Sequence, residues 1–224
     1  MSNQITDNNI WNKYSEVFTG LYNRNKTILI FSVVLFLGFL FLGILTGYFS
    51  SGYIGHLLNT YFTLLHESHI QINTLSIFFH NLQAALVAYF GGLIGIIPVG
   101  VVSVNGFLYG AFLGYLIHGP IVTSSGVFTP VHLLVYTLPH GILELPGFII
   151  AGAAGLRLTT MIIGLIKSIM RKTPINDHYW KFEDSLMLLA VAIVLIFIAA
   201  IIEANVTLSL GNYITGLNLT AAGK

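Results

Sequence analysis

Cysteine is absent from this chain, which removes a disulfide framework, a thiolate metal site and a cysteine nucleophile together. Charge is nearly as scarce: Lys, Arg, Asp and Glu make up 8% of the 224 residues, against about 25% in a soluble domain. The nine basic and eight acidic residues are bunched into short stretches, so a water-facing surface cannot be built over the apolar intervals between them. With a net charge of +1 and no clustered basic face, a nucleic-acid partner is excluded. What the chain does have is apolar residues, at 55%. A lipid bilayer is the solvent that suits them, and the expected fold class is an all-α, polytopic membrane helical bundle at the cell membrane.

A hydrocarbon core of about 30 Å needs roughly 20 apolar helical residues. Five segments qualify, at about 27–49, 75–96, 101–118, 139–166 and 185–202. The first follows a polar segment, 1–26, and lacks a small-residue cleavage pattern, so it is expected to be a retained anchor. Between the first and second spans, Ser50 to Thr74 carries His56, His66, Glu67 and His69 among Leu57, Leu58, Phe62 and Leu65, which predicts an interfacial amphipathic helix. The run Gly95-Ile96-Ile97-Pro98-Val99-Gly100 predicts a turn. The apolar stretch from Phe128 to Ile166 is nearly twice a bilayer thickness, and Pro139 and Pro146 predict that it breaks, with Thr129 to Leu138 a separate short helix before the fourth span.

Basic residues set the orientation. Lys13, Arg24 and Lys26 precede the first span, while Lys167, Arg171, Lys172 and Lys181 lie between the fourth and fifth. Five spans put both groups on one face, so the N-terminus is expected in the cytoplasm and the 205–224 tail outside, with the 27–204 membrane domain between them.

Glu144 is the carboxylate that stands out, inside a predicted span and with no basic residue for about a dozen positions on either side. Holding it there costs about 2.5–3.5 kcal/mol unless it is protonated, paired or wetted. His140, four residues earlier, shares its helical face. Depth counting brings His80 and Asn81 of the second span to the same level, with His118 at the same face and His132 a further candidate. Three uses stay open for His80, Asn81, His140 and Glu144: a buried hydrogen-bond network, a proton, ion or substrate path, or a metal centre, which would need His80 or His132 to complete three ligands. Metal binding is otherwise unassigned, no cofactor is predicted and no residue is assigned a catalytic role. Gly106, Gly110 and Gly114, at four-residue spacing, predict a helix whose backbone packs closely against a neighbour.

These same stretches carry a family resemblance. Phe79-His80-Asn81-Leu82-Gln83-Ala84-Ala85-Leu86, Gly91-Gly92 with Gly95 and Pro98, Asn105-Gly106 with Gly110, and above all Pro139-His140-Gly141-Ile142-Leu143-Glu144-Leu145-Pro146 leading to Ile150-Ala151-Gly152-Ala153-Ala154-Gly155-Leu156-Arg157-Leu158 resemble the stage II sporulation protein M family of integral membrane proteins. The resemblance implies a membrane scaffold or subunit of a larger complex, with other membrane proteins or further copies of itself as partners. The alternatives are a transporter or channel using the His/Asn/Glu cluster, and an intramembrane metal-dependent enzyme.

The orientation is testable with single cysteines at Ser2, Ser68 and Thr215 and an impermeant thiol reagent on intact cells. Ser68→Cys and Thr215→Cys are expected to label and Ser2→Cys to stay protected; labelling of Ser2→Cys overturns the orientation.

Overall fold

The computed structural model describes residues 3–57, 73–123 and 126–215. Helix α1 (Asn3–Phe49) is followed by a helical stretch over residues 51–57; most of the expected interfacial helix, residues 58–72 with His66, Glu67 and His69, lies outside the described residues. Helix α2 (Thr74–Phe90) continues through a 3-10 turn, Gly91–Leu93, into α3 (Ile96–His118). A small antiparallel hairpin, β1 (Ile121–Thr123) and β2 (Gly126–Phe128), leads to α4 (Pro130–Arg171). After a second 3-10 turn, Asn176–His178, α5 (Tyr179–Ile202) passes through a π-helical turn, Glu203–Thr207, into α6 (Leu208–Thr215).

Local chemistry explains the boundaries. At the start of α2, the Asn73 side chain accepts from the Ser76 backbone N–H (2.9 Å) while the Asn73 N–H donates to Ser76 Oγ (3.2 Å), a reciprocal cap. Gly95 has φ +85°, a left-handed conformation that glycine adopts without steric cost, and it turns the chain from α2 into α3. Pro98 follows in the first turn of α3, where a missing N–H has no helical partner to lose.

Four helical segments are each long and apolar enough to cross a bilayer: Ser15–Phe49, Ile96–His118, Pro130–Arg171 and Tyr179–Thr207. With 17 residues, α2 falls below that length by itself, but it runs from one end of the bundle to the other. Its first residue, Thr74, meets Asn205 beyond α5, and Tyr89 near its end meets Ser185 at the start of α5. The five helices therefore alternate in direction, with Arg24 of α1, Arg157 of α4 and Asp184 of α5 at one end and Phe49, Thr74 and His118 towards the other. Packed side chains that avoid water cover the inner faces, while many Leu, Ile, Val and Phe side chains on the outer faces of α1 to α5 are exposed, as lipid contact requires.

The proline break does not occur. Helix α4 is a single run of 42 residues with Pro139 and Pro146 inside it. In a packed membrane helix the hydrogen bond lost at a proline is compensated by neighbouring helices and hydroxyl side chains. Thr137 Oγ1 bonds the Leu133 carbonyl and meets the Tyr109 hydroxyl of α3 (2.9 Å) just ahead of Pro139. The excess length is instead taken up by protrusion: 42 residues span about 63 Å. The first turns of α4 run beside the last turns of α3 and reach α6, where Tyr136 donates to Asn212 (2.7 Å). Helix α1 begins at Asn3, so the polar segment 1–26 runs into the first span as one helix.

Glycines govern the α1–α3 contact. A Cβ at Gly106, Gly110 or Gly114 would collide with the backbone of Phe36, Leu40 or Ile44 respectively, and Gly43 and Gly47 of α1 are equally close to the backbone of Phe107 and Ala111. Such approach maximises dispersion contacts where lipid gives no hydrophobic drive for association. Gly110→Leu is expected to destabilise the protein by roughly 1–3 kcal/mol or more, whereas Leu108→Ala, at a 60% exposed position, is expected to be nearly silent in detergent melting curves. Equal melting of the two variants overturns the close-contact assignment.

Candidate functional site

Two polar clusters are set along α4, seventeen positions apart at His140 and Arg157. The first is built on α4 residues His140 and Glu144, one helical turn apart on one face. His140 Nε2 lies 3.4 Å from Glu144 Oε2. From α2, Asn81 Nδ2 donates to Glu144 Oε1 (2.8 Å). From the π turn come two residues that sequence inspection did not single out: Glu203, with Oε2 4.0 Å from His140 Nε2, and Thr207, with Oγ1 3.1 Å from His140 Nδ1. The three side chains His140, Glu144 and Glu203 can each bring one ligand atom within 4.8 Å of the others, so they form the group of described residues able to hold a metal ion.

The other candidates lie elsewhere. His80 is exposed, one position and about 100° around α2 from the buried Asn81. His118 stacks edge-on against Tyr48 of α1. His132 caps the start of α4: its Nδ1 is 2.6 Å from Thr129 Oγ1 and 3.2 Å from the Thr129 backbone nitrogen. Gly106, Gly110 and Gly114 belong to the α1–α3 contact and touch neither cluster.

The second cluster was not anticipated. Asp184 of α5 is 1% exposed, and its carboxylate accepts from three side chains on two other helices. Arg24 of α1 donates from Nε (3.1 Å to each oxygen) and from Nη2 to Oδ1 (2.6 Å). Asn25 donates to Oδ2 (2.8 Å), and Arg157 of α4 to the same oxygen (3.4 Å) while its guanidinium covers the Trp180 ring at 4.5 Å. Asn25 is able to face inward because its amide also donates to the Leu21 carbonyl one turn earlier (2.8 Å). The signal in the sequence was Arg24-Asn25 and Asp184 at the edges of apolar runs, with Arg157 inside one. At this same end a cleft of about 490 Å³ is lined by Lys167, Arg171, Lys181, Ser168 and His178 among others.

Between the clusters the interface of α2, α4 and α5 is apolar and tightly closed. Ala85, Ala88, Ala151, Ala154, Ala192 and Ile196 have no exposure, with Phe148 beside them. A Cβ on Gly155 would meet the Ala88 carbonyl, so α2 and α4 touch backbone to backbone here.

Comparison with known proteins is consistent across most of the chain. The model of the family described as Stage II sporulation protein M matches residues 27–208. An uncharacterized protein of Methanocaldococcus jannaschii is 29% identical over 197 residues, covering 82% of this chain and 83% of the relative. No solved structure matches.

The two ends make different demands on stability. Asp184→Ala leaves the buried Arg157 and Asn25 without their acceptor, for an expected loss of about 3–5 kcal/mol. Arg24→Ala removes a donor that is 46% exposed and leaves two others in place, for an expected loss of about 1 kcal/mol or less. Thermal unfolding of the two variants in one detergent checks the order; a larger loss for Arg24→Ala contradicts it.

Proposed function

This chain belongs to the stage II sporulation protein M family, and we propose that it serves in the membrane as a scaffold or as a subunit of a larger complex. The observation that carries this reading is the apolar layer between the two polar clusters. A transporter or channel needs a polar or wettable route linking the two membrane faces, with intramembrane ionisable groups along it. Here the ionisable groups are gathered at the ends, and the Ala- and Gly-rich contact of α2, α4 and α5 lies between them. Close backbone packing along α1 and α3 adds a second rigid pair. Such a frame suits holding partners in position.

The orientation belongs to the same proposal. The end that carries Arg24, Lys26, Lys167, Arg171, Lys172 and Lys181 faces the cytoplasm, as the excess of Lys and Arg in cytoplasmic segments favours. The opposite end, with His140 and Glu203, faces outward.

Purification in mild detergent followed by mass spectrometry is expected to recover either a stoichiometric membrane partner or a defined oligomer of this chain. Purified protein in vesicles is expected to pass ions and protons no faster than empty vesicles. A flux that Glu144→Gln abolishes while the protein stays folded overturns the scaffold reading in favour of transport.

A further inference from the structure

The atoms that meet around His140 are short of a positive charge. The Thr207 hydroxyl lies 3.1 Å from His140 Nδ1 and 3.4 Å from the Ile202 carbonyl. With its one proton on that carbonyl, it accepts from Nδ1–H, and in this tautomer Nε2 is an acceptor. Asn81 occupies Oε1 of Glu144 and leaves Oε2 free. The result is a nitrogen lone pair facing two carboxylate oxygens, at 3.4 and 4.0 Å, with no donor between them. Among the described residues no Lys or Arg pairs with Glu144 or Glu203. Three acceptors facing one another at the edge of a bilayer need a shared proton or a bound cation.

We propose that His140, Glu144 and Glu203 bind a divalent transition-metal ion, with Zn2+ the best match to one imidazole and two carboxylates. Nitrogen and oxygen ligands lie about 2.0–2.1 Å from zinc, and in tetrahedral geometry that separates them by about 3.3 Å. His140 and Glu144 already stand at that separation, and Glu203, the most exposed of the three side chains at 31%, closes on them by a side-chain rotation. The surroundings are those of a held ligand set: Thr207 contacts the other ring nitrogen of His140, and Asn81 bonds the other oxygen of Glu144. An independent feature points the same way. The backbone turn bounded by Glu203 and Thr207 is π-helical, a rare conformation concentrated at functional sites, and its two end residues are one ligand and one supporting residue. Three protein ligands leave a fourth position for water or for a group from a partner. The bound ion would join α4 to the turn beyond α5, with α2 held through Asn81, and it does so whether or not the chain is a scaffold.

The test uses the full chain with an affinity tag free of histidine, purified in mild detergent, stripped with chelator, reloaded with Zn2+ and desalted. Metal analysis is expected to find about one Zn2+ per chain, and loading is expected to raise the melting temperature. Glu203→Gln and His140→Gln are each expected to weaken zinc binding about tenfold or more while eluting as monodisperse protein, with His80→Gln unchanged as the control. Unaltered binding in both ligand variants overturns the site. Negligible retention of zinc by the wild-type chain also overturns it, and that measurement decides the matter even if a variant fails to fold.

Discussion

A carboxylate buried at the edge of a hydrocarbon layer must be neutralised by its own protein, and Asp184 shows how completely this chain does so. Arg24, Asn25 and Arg157 all donate to it, so one side chain fixes α1, α4 and α5 relative to each other. The rest of the bundle inherits its geometry from that point. With α4 and α5 held together there, the small residues that follow, Ala154 and Ala151 opposite Leu188 and Ala192, are placed to close against each other. At the far end of the same helix pair the polar residues meet again around His140.

The spacing of the two clusters matches the solvent. Seventeen positions along α4 separate His140 from Arg157, about 25 Å of helix, which is close to the thickness of the hydrocarbon core. That spacing lets both clusters stand where lipid tails give way to headgroups and water. An ionisable group is cheaper there than at the midplane, and water can reach it from one side only. The same arithmetic explains why a 42-residue helix needs no break: about a bilayer's worth lies between the clusters and the remainder extends past them.

How much of this was readable from the residues depended on whether the information was local. Gly95 and Pro98 announce the turn between α2 and α3 because backbone conformation is set within a few residues. His140 and Glu144 could be placed on one face because i and i+4 always are. Helical phase between different helices is not local, so His80 and Asn81 were equal candidates although one faces out and the other in. Glu203 and Asp184 stand just outside the bounds read for the last span, and nothing in the neighbouring residues reveals that α4 approaches both of them and α1 approaches Asp184. The prolines misled for a related reason: their cost is intrinsic, but whether a helix tolerates it depends on the helices packed around it, which are remote in sequence.

The π turn sets one further quantity, the angular phase of everything after it. It inserts the equivalent of an extra residue into an otherwise continuous run from Tyr179 to Thr215. Because the wider coil takes up that residue, the helices on its two sides keep the relative phase of an uninterrupted α-helix one residue shorter. Straightening the turn to α-helix with all its residues kept would swing α6 by about 100° relative to α5. Asn212 and Thr215, which now both meet the Tyr136 hydroxyl, would then point away from it. Loss of one residue at this spot is instead absorbed by loss of the bulge, and the terminal helix keeps its facing.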